Sequence, residues 1–316
     1  MMIDYQLLRL ALTAGGLIPG DIEAGRLIRC KVEGDHGGKK SGAYRLFDDD
    51  LPACPWWNWK AGTSGVWVSD DRPLTDADRI RHRQMVEQAR RERELEQAAQ
   101  WAKNRDYLAR FWGEAAPLTP DCAAGLYLAR RGLPVPTSDA LRFVPGLDYW
   151  HDDGNVSVHP AMLAAVTSPD GVLVALHRTY LTDDGHKASV PTVKKLTRTA
   201  GSMAGASIKL GAPVLRPDGQ LGLAVAEGIE TAIAAAVLTG VPTWSCVSAH
   251  GLEAFTPPPG VHSLYIMGDH DESGTGQKAA AGLAKRAAAA GLVARVLLPD
   301  AVGDWADELI SRRAAV

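Results

Sequence analysis

Four acidic residues stand where short apolar runs of the chain break off. Leu221–Ala226 ends at Glu227-Gly228, Val261–Met267 closes on Gly268-Asp269-His270-Asp271, and Leu292–Leu298 is followed by Gly303-Asp304-Trp305-Ala306-Asp307. Carboxylates gathered in one place repel each other unless a cation sits among them, and oxygen donors of this kind suit Mg²⁺ or Mn²⁺. Such ions serve phosphoryl transfer by holding positive charge against the non-bridging oxygens and the attacking or leaving oxygen. In that chemistry Asp269 and Asp271 are metal ligands, and Asp304, with Asp307 nearby, completes or holds the site. Glu227 binds a second ion or acts as general acid/base toward a 3′-hydroxyl. Gly228 lets the backbone approach a phosphate, with the N-terminus of the next helix aimed at it. Glu230, on that helix, assists from outside the ligand set, and His270 points away by alternation. Each acid also has a bland reading: Glu227 near a helix dipole, Asp269 or Asp271 as a turn former, Asp304 as a helix cap. Their joint placement favours the site.

The elements that must position these residues follow from the pattern around them. Ile229 to Leu238 reads as an Ala-rich helix, Pro242 to Val247 as another apolar run closing on Ser248-Ala249-His250-Gly251, and Gln277 to Ala290 as a second Ala-rich helix. Apolar strands alternating with helices imply a parallel sheet covered on both faces, here with four strands, and right-handed crossovers put its ligands beyond the carboxyl ends of the strands. Glu-Gly after the first strand, Asp-x-Asp after the third and an acidic pair after the fourth resemble the Toprim domain. That domain is shared by bacterial-type primases, topoisomerases, OLD-type nucleases and recombination proteins. The resemblance covers residues 213–316 and implies a Rossmann-like, mostly parallel sheet with Mg²⁺ or Mn²⁺ as cofactor.

The segment before it, 116–212, reads as α+β. Ala123–Arg130 is a short helix, and Ala161–Val166 and Gly171–Tyr180 are strands joined by the hairpin signal Ser168-Pro-Asp-Gly171. From Lys187 to Lys209 basic residues outnumber acids, and in the primases that this chain resembles such a subdomain offers a basic face to template and nucleotide phosphates. The resemblance assigns that role to His177, Arg178, Lys194, Lys195 and Lys209; a solvated turn with incidental lysines is the bland alternative. Arg131-Gly-Leu-Pro134 and Leu176-His-Arg-Thr-Tyr180 are also similar to phage and mobile-element primase/helicase proteins. The chain has no P-loop, so the implied helicase is a separate partner.

Residues 76–115 are dense in Arg, Glu, Gln and Ala, with a capping signal at Thr75-Asp-Ala-Asp, and predict a charged connector helix. Residues 1–75 predict a small β-rich module with strands at Leu27–Val32, Ala43–Phe47 and Gly65–Ser69. Trp56, Trp57, Trp59 and Trp67, interleaved with Lys31, Lys39, Lys40 and Lys60, form either its core or a stacking surface for single-stranded nucleic acid. Gly34 to Ser41 lacks the Gly-Lys-Ser/Thr order of a phosphate loop, and Cys30, His36 and Cys54 fall short of a four-ligand zinc set. The module thus resembles the zinc ribbon of bacterial-type primases with its metal ligands lost.

Composition restricts the classes. At 46% hydrophobic and 22% charged residues the chain is ordinary for a globular protein, and no apolar run approaches a membrane span. Four scattered cysteines suit a reducing cytoplasm, and a net charge of −3 leaves any nucleic-acid binding to local patches. The function implied is primase-like, metal-dependent nucleotidyl transfer that makes short primers on single-stranded DNA from nucleoside triphosphates. The alternatives are a Toprim nuclease cutting DNA or RNA, or a non-catalytic nucleic-acid-binding module.

Overall fold

The computed structural model describes residues 3–48, 52–69, 76–270 and 274–314. The chain forms two compact units, residues 1–99 and residues 100–316.

In the first unit Asp4 caps helix α1 (Tyr5–Ala14), its carboxylate accepting from the amides of Gln6 and Leu7 at 2.9 and 3.1 Å. The helix lays Leu8 and Leu12 against an antiparallel meander of β1 (Leu17–Ile18), β2 (Leu27–Val32), β3 (Gly42–Arg45), β4 (Ala53–Asn58) and β5 (Thr63–Val68). Cys30, Tyr44, Leu46 and Cys54 complete this core. Burial raises the Cys30 and Cys54 thiols to about 11 and 12, and both pack in this core as apolar side chains.

Two of the four tryptophans pack on the core. Trp56 packs on the core, where a Cβ at Gly15 or Gly65 would come within 2.7 or 2.6 Å of its ring, so only glycine fits beside it. Trp67 packs there too, whereas Trp59 carries the Arg29 guanidinium 4.3 Å above it and Trp57 carries that of Arg93 at 4.5 Å. The sequence pattern did not show α1 or β4.

Helix α2 (Asp76–Glu114) is laced by i,i+4 pairs such as Arg90–Glu94 at 2.9 Å. It is not a solvated connector along its whole length. Its last turns belong to the second unit, where Leu108, Phe111 and Trp112 pack on Leu163, Leu176 and Ala200, and Asn104 donates to the Thr199 carbonyl at 2.6 Å. Thr75, expected as its cap, lies outside the described residues.

The second unit holds two sheets. The first is antiparallel, in spatial order β10-β9-β8-β7-β6, from β6 (Ala116–Pro117), β7 (Leu141–Trp150), β8 (Val156–Thr167), β9 (Leu173–Tyr180) and β10 (Lys194–Leu196), with α3 (Ala123–Arg130) packed against it. The turn from β8 to β9 closes with Gly171 N–H donating to the Ser168 carbonyl at 2.9 Å, and Gly171 takes φ +84°, which favours glycine.

The second sheet begins with a hairpin, β11 (Val214–Leu215) antiparallel to β12 (Leu221–Ala226). After α4 (Ile229–Thr239), β13 (Thr243–Ser245) pairs parallel with β12; after α5 (Ala249–Ala254), β14 (Val261–Met267) pairs on the other side of β12. Helix α6 (Thr275–Ala289) leads to β15 (Val293–Leu297), parallel to β14, and α7 (Trp305–Ala314) ends the described chain. Leu223, Val225, Leu264 and Ile266 face Leu252, Phe255, Ala280 and Leu283 of α5 and α6. Ala224 and Ala226 face α4 and α7, whose Ile229, Ala232, Ile233, Trp305 and Leu309 pack with Met162, Ala164, Val166 and Ala175 of the antiparallel sheet. The two sheets therefore share one core, because helices α4 and α7 have an apolar neighbour on both sides. Among the described residues no helix is long and apolar enough to cross a membrane.

Candidate active site

The parallel register decides where the acids emerge. Ala226 on β12 pairs with Met267 on β14, and Met267 pairs with Leu297 on β15. Glu227 and Asp269 therefore leave adjacent strands at the same sheet edge. Asp269 is held by its neighbours: Gly268 N–H donates to the Leu297 carbonyl at 2.9 Å, and His270 and Gly303 exchange backbone hydrogen bonds at 3.0 Å each. The Trp305 indole N–H donates to the Gly268 carbonyl at 3.1 Å, and the Thr231 hydroxyl lies 3.4 Å from Asp269 Oδ1. Asp271 lies outside the described residues. The His270 ring approaches the Pro299 carbonyl through Nδ1 at 3.4 Å, a structural contact.

Asp304 is occupied by other work. Its Oδ1 accepts from the amides of Ala306 and Asp307 at 2.8 and 3.0 Å, while Asp307 Oδ2 accepts from the Asp304 amide at 3.3 Å. This reciprocal arrangement caps α7, and Asp304 Oδ2 takes the Arg131 guanidinium at 3.1 Å. The structure realises the cap reading of Asp304.

Gly228 is the N-cap residue of α4 at φ −95°, an ordinary backbone conformation, and a Cβ there would meet nothing closer than 3.6 Å. Gly228 has no side chain to cap this helix, whose N-terminus follows directly on Glu227.

In the first turn of α4, Glu230 is buried. Its Oε1 accepts the Tyr127 hydroxyl at 2.5 Å, and Lys194 Nζ lies 2.8 and 2.9 Å from its two oxygens. Burial pushes this carboxyl up, but the charge of Lys194 and the hydrogen bonds of Lys194 and Tyr127 outweigh it and hold the group down at about 2. Burial, then the Glu230 charge, raises the Tyr127 phenol. Sequence reasoning missed Tyr127, whose partner is far along the chain. It missed Thr231 as well, on the first turn of α4, whose partner Asp269 lies beyond β14.

The basic candidates do not form one face. Lys194 pairs with Thr179 and Leu196 with His177, whereas Lys195 pairs with Arg178. Directly opposed residues share a sheet face, so Lys194 and His177 lie on one side and Lys195 and Arg178 on the other. Lys195 Nζ sits 3.6 Å from the Tyr149 ring centroid, and Arg178 donates to the Leu196 carbonyl at 2.9 Å. His177 is buried, and burial together with the Lys194 charge lowers it to about 4, leaving it neutral near pH 7. Lys209 stands apart, donating to the Ser168 carbonyl at 3.1 Å above the Trp244 ring.

Among the described residues no group of three His, Cys, Asp or Glu side chains could hold a metal ion. The donor chemistry of Glu227 and Asp269 nevertheless fits Mg²⁺ or Mn²⁺, which proteins usually hold by one or two carboxylates together with substrate phosphates and water.

A parallel sheet sandwiched by helices, with carboxylates after its first and third long strands, defines the Toprim class, and residues 222–315 match the Toprim domain. The match spans the parallel strands of the second sheet and the helices around them. Residues 102–209 match a domain of unknown function (DUF7146). Among solved structures the chain is similar to a DNA primase domain from Pseudomonas aeruginosa, at 16% identity over 60% of this chain and 67% of that one, TM-score 0.41. It is also similar to the primase fragment of the bacteriophage T7 primase-helicase protein, at 18% identity over 65% and 74%, TM-score 0.37. A DnaG primase catalytic domain bound to single-stranded DNA is similar at 14% identity over 69% and 78%, TM-score 0.46. No curated protein matches the chain.

Proposed function

We propose that the chain is a primase-like nucleotidyltransferase that joins nucleoside triphosphates into short primers on single-stranded DNA. The observation that carries this reading is the first turn of α4. Glu227 precedes it, its N-cap Gly228 has no side chain to lay over it, and Glu230 within it fixes the Lys194 ammonium. Acid, amide dipoles and ammonium within one turn suit a reaction in which negative charge moves between phosphate oxygens. The Toprim match over residues 222–315 supports the same chemistry.

In this reading a primer 3′-hydroxyl attacks the α-phosphorus of the incoming triphosphate, the new P–O bond forms, and pyrophosphate leaves. Glu227 takes the hydroxyl proton. The α4 amides and Lys194 orient phosphate oxygens, and Thr231 with the Gly268 and His270 backbone bonds keeps Asp269 at the sheet edge. Asp269, with Asp271, would hold Mg²⁺ or Mn²⁺. When bound, the ion supplies charge neutralisation at the transferring phosphoryl group. Lys195 and Arg178 supply contacts to the single strand, and unwinding falls to a separate replicative helicase. The chain works in the cytoplasm.

Primer synthesis on circular single-stranded DNA, with labelled nucleoside triphosphates and Mg²⁺ or Mn²⁺, tests the reading. Extended products that disappear in Asp269→Asn support it. Metal-dependent cutting of the circle without synthesis would replace it with a nuclease.

A further inference from the structure

A cavity of about 540 Å³ lies where the β9–β10 edge of the antiparallel sheet meets the turn between β13 and α5. Its volume is that of a small-molecule pocket. The wall is mostly apolar, with Leu196, Met203 and Val247, and a few polar groups converge on it: His177, Lys194 and Ser248.

Four features of this wall are otherwise unexplained. His177 is 8% exposed, and its Nδ1 has no hydrogen-bond partner. Buried polar atoms are normally paired, so an orphan on a cavity wall marks a place for an incoming group. Val247 takes φ +72°, alone among the described non-glycine residues, and a β-branched residue at positive φ is strained. Its amide lies 3.3 Å from Ser245 Oγ, which donates to the Glu227 carbonyl at 3.0 Å, so the strained turn is coupled to the proposed acid/base. Lys194 gives two of its three N–H groups to Glu230 and keeps one. Ser248 Oγ accepts from the Gly251 amide at 3.1 Å, which leaves its own proton to donate.

We propose that this cavity receives the base and sugar of a nucleotide whose phosphates reach Lys194. The heterocycle lies against Met203, Leu196 and Val247, and its polar edge meets His177 and Ser248. Because His177 is neutral, it recognises by hydrogen bonding and adds no charge to the phosphates. The proposal rests on the nucleotidyl-transfer reading and adds to it where the nucleoside is held.

The full chain is photolabelled with 8-azidoadenosine 5′-triphosphate in the presence of Mn²⁺, and the labelled peptides are mapped. Calorimetry then compares ATP with inorganic tripolyphosphate on the parent protein, His177→Phe and the cavity-filling Met203→Trp. The expected label falls within 196–206 or 246–254 and is suppressed by excess ATP. Either variant should weaken ATP at least tenfold and leave tripolyphosphate unchanged. Equal affinity of the parent for ATP and tripolyphosphate, or a label confined to other segments, overturns the pocket while the phosphate reading stands. Binding of neither ligand overturns both.

Discussion

In the parallel sheet β12 and β14 run side by side in one direction, so the residues that follow them, Glu227 and Asp269, emerge at one edge although some forty positions separate them in sequence. The antiparallel sheet of the same unit does the reverse. Lys194 and Lys195 are adjacent in sequence, yet the period of two sends them to opposite faces, one to buried Glu230 and one to the Tyr149 ring. Strand direction gathers distant residues in the first case, and strand alternation separates neighbours in the second. The acidic centre is therefore a property of topology, whereas the basic surface is split by the pleat.

The largest effect expected from breaking this contrast lies at the acidic edge. Glu227→Gln should lower turnover by roughly 10²–10⁴-fold, as loss of a general acid/base does, while Mn²⁺ binding by calorimetry persists. Asp269→Asn should lose both. Equal loss of metal binding in the two variants would make Glu227 a ligand rather than a base.

Next comes the buried pair that joins the two sheets. Lys194→Met leaves the Glu230 carboxylate unpaired in the core. It should cost about 2 kcal/mol in denaturant unfolding, below the value for a fully buried pair because the Lys194 side chain is 40% exposed. The pH dependence has a definite sign. Glu230 is lowered from the ordinary 4.5 to about 2, so its contribution is complete above 4.5 and fades as pH falls toward 2. The stability gap between the parent protein and Glu230→Gln should be widest at neutral pH and close over that window. A gap that widens on acidification would contradict the assigned pairing.

A smaller effect belongs to Asp304. Asp304→Ala removes the α7 cap and frees Arg131, at a cost of about 1 kcal/mol. Because its oxygens serve the cap and the guanidinium, Mn²⁺ binding should be unchanged. The smallest is electrostatic. Lys195→Ala should reduce the salt slope of single-stranded DNA binding by about 0.7, the share of one phosphate contact. Lys194→Ala, whose ammonium is already paired, should change that slope less.

The sequence alone determined the parallel half of the molecule. Runs such as Leu221–Ala226 and Leu264–Met267 are apolar because both faces of β12 and β14 are covered by helices, and an acid follows each within two residues, so the strand ends and the acids beyond them could be read together. Local chemistry was legible too, as in the hairpin at Ser168–Gly171 and the Asp-x-x-Asp spacing at Asp304, which offered a cap as readily as a ligand. Only tertiary structure brought Arg131, distant in sequence, to the second oxygen of Asp304. It also decided that Glu230 meets Tyr127 and Lys194, that His177 is buried without a partner, and that the end of α2 is core rather than connector. Burial and long-range pairing have no local period to read. They arise when two sheets close on the same pair of helices.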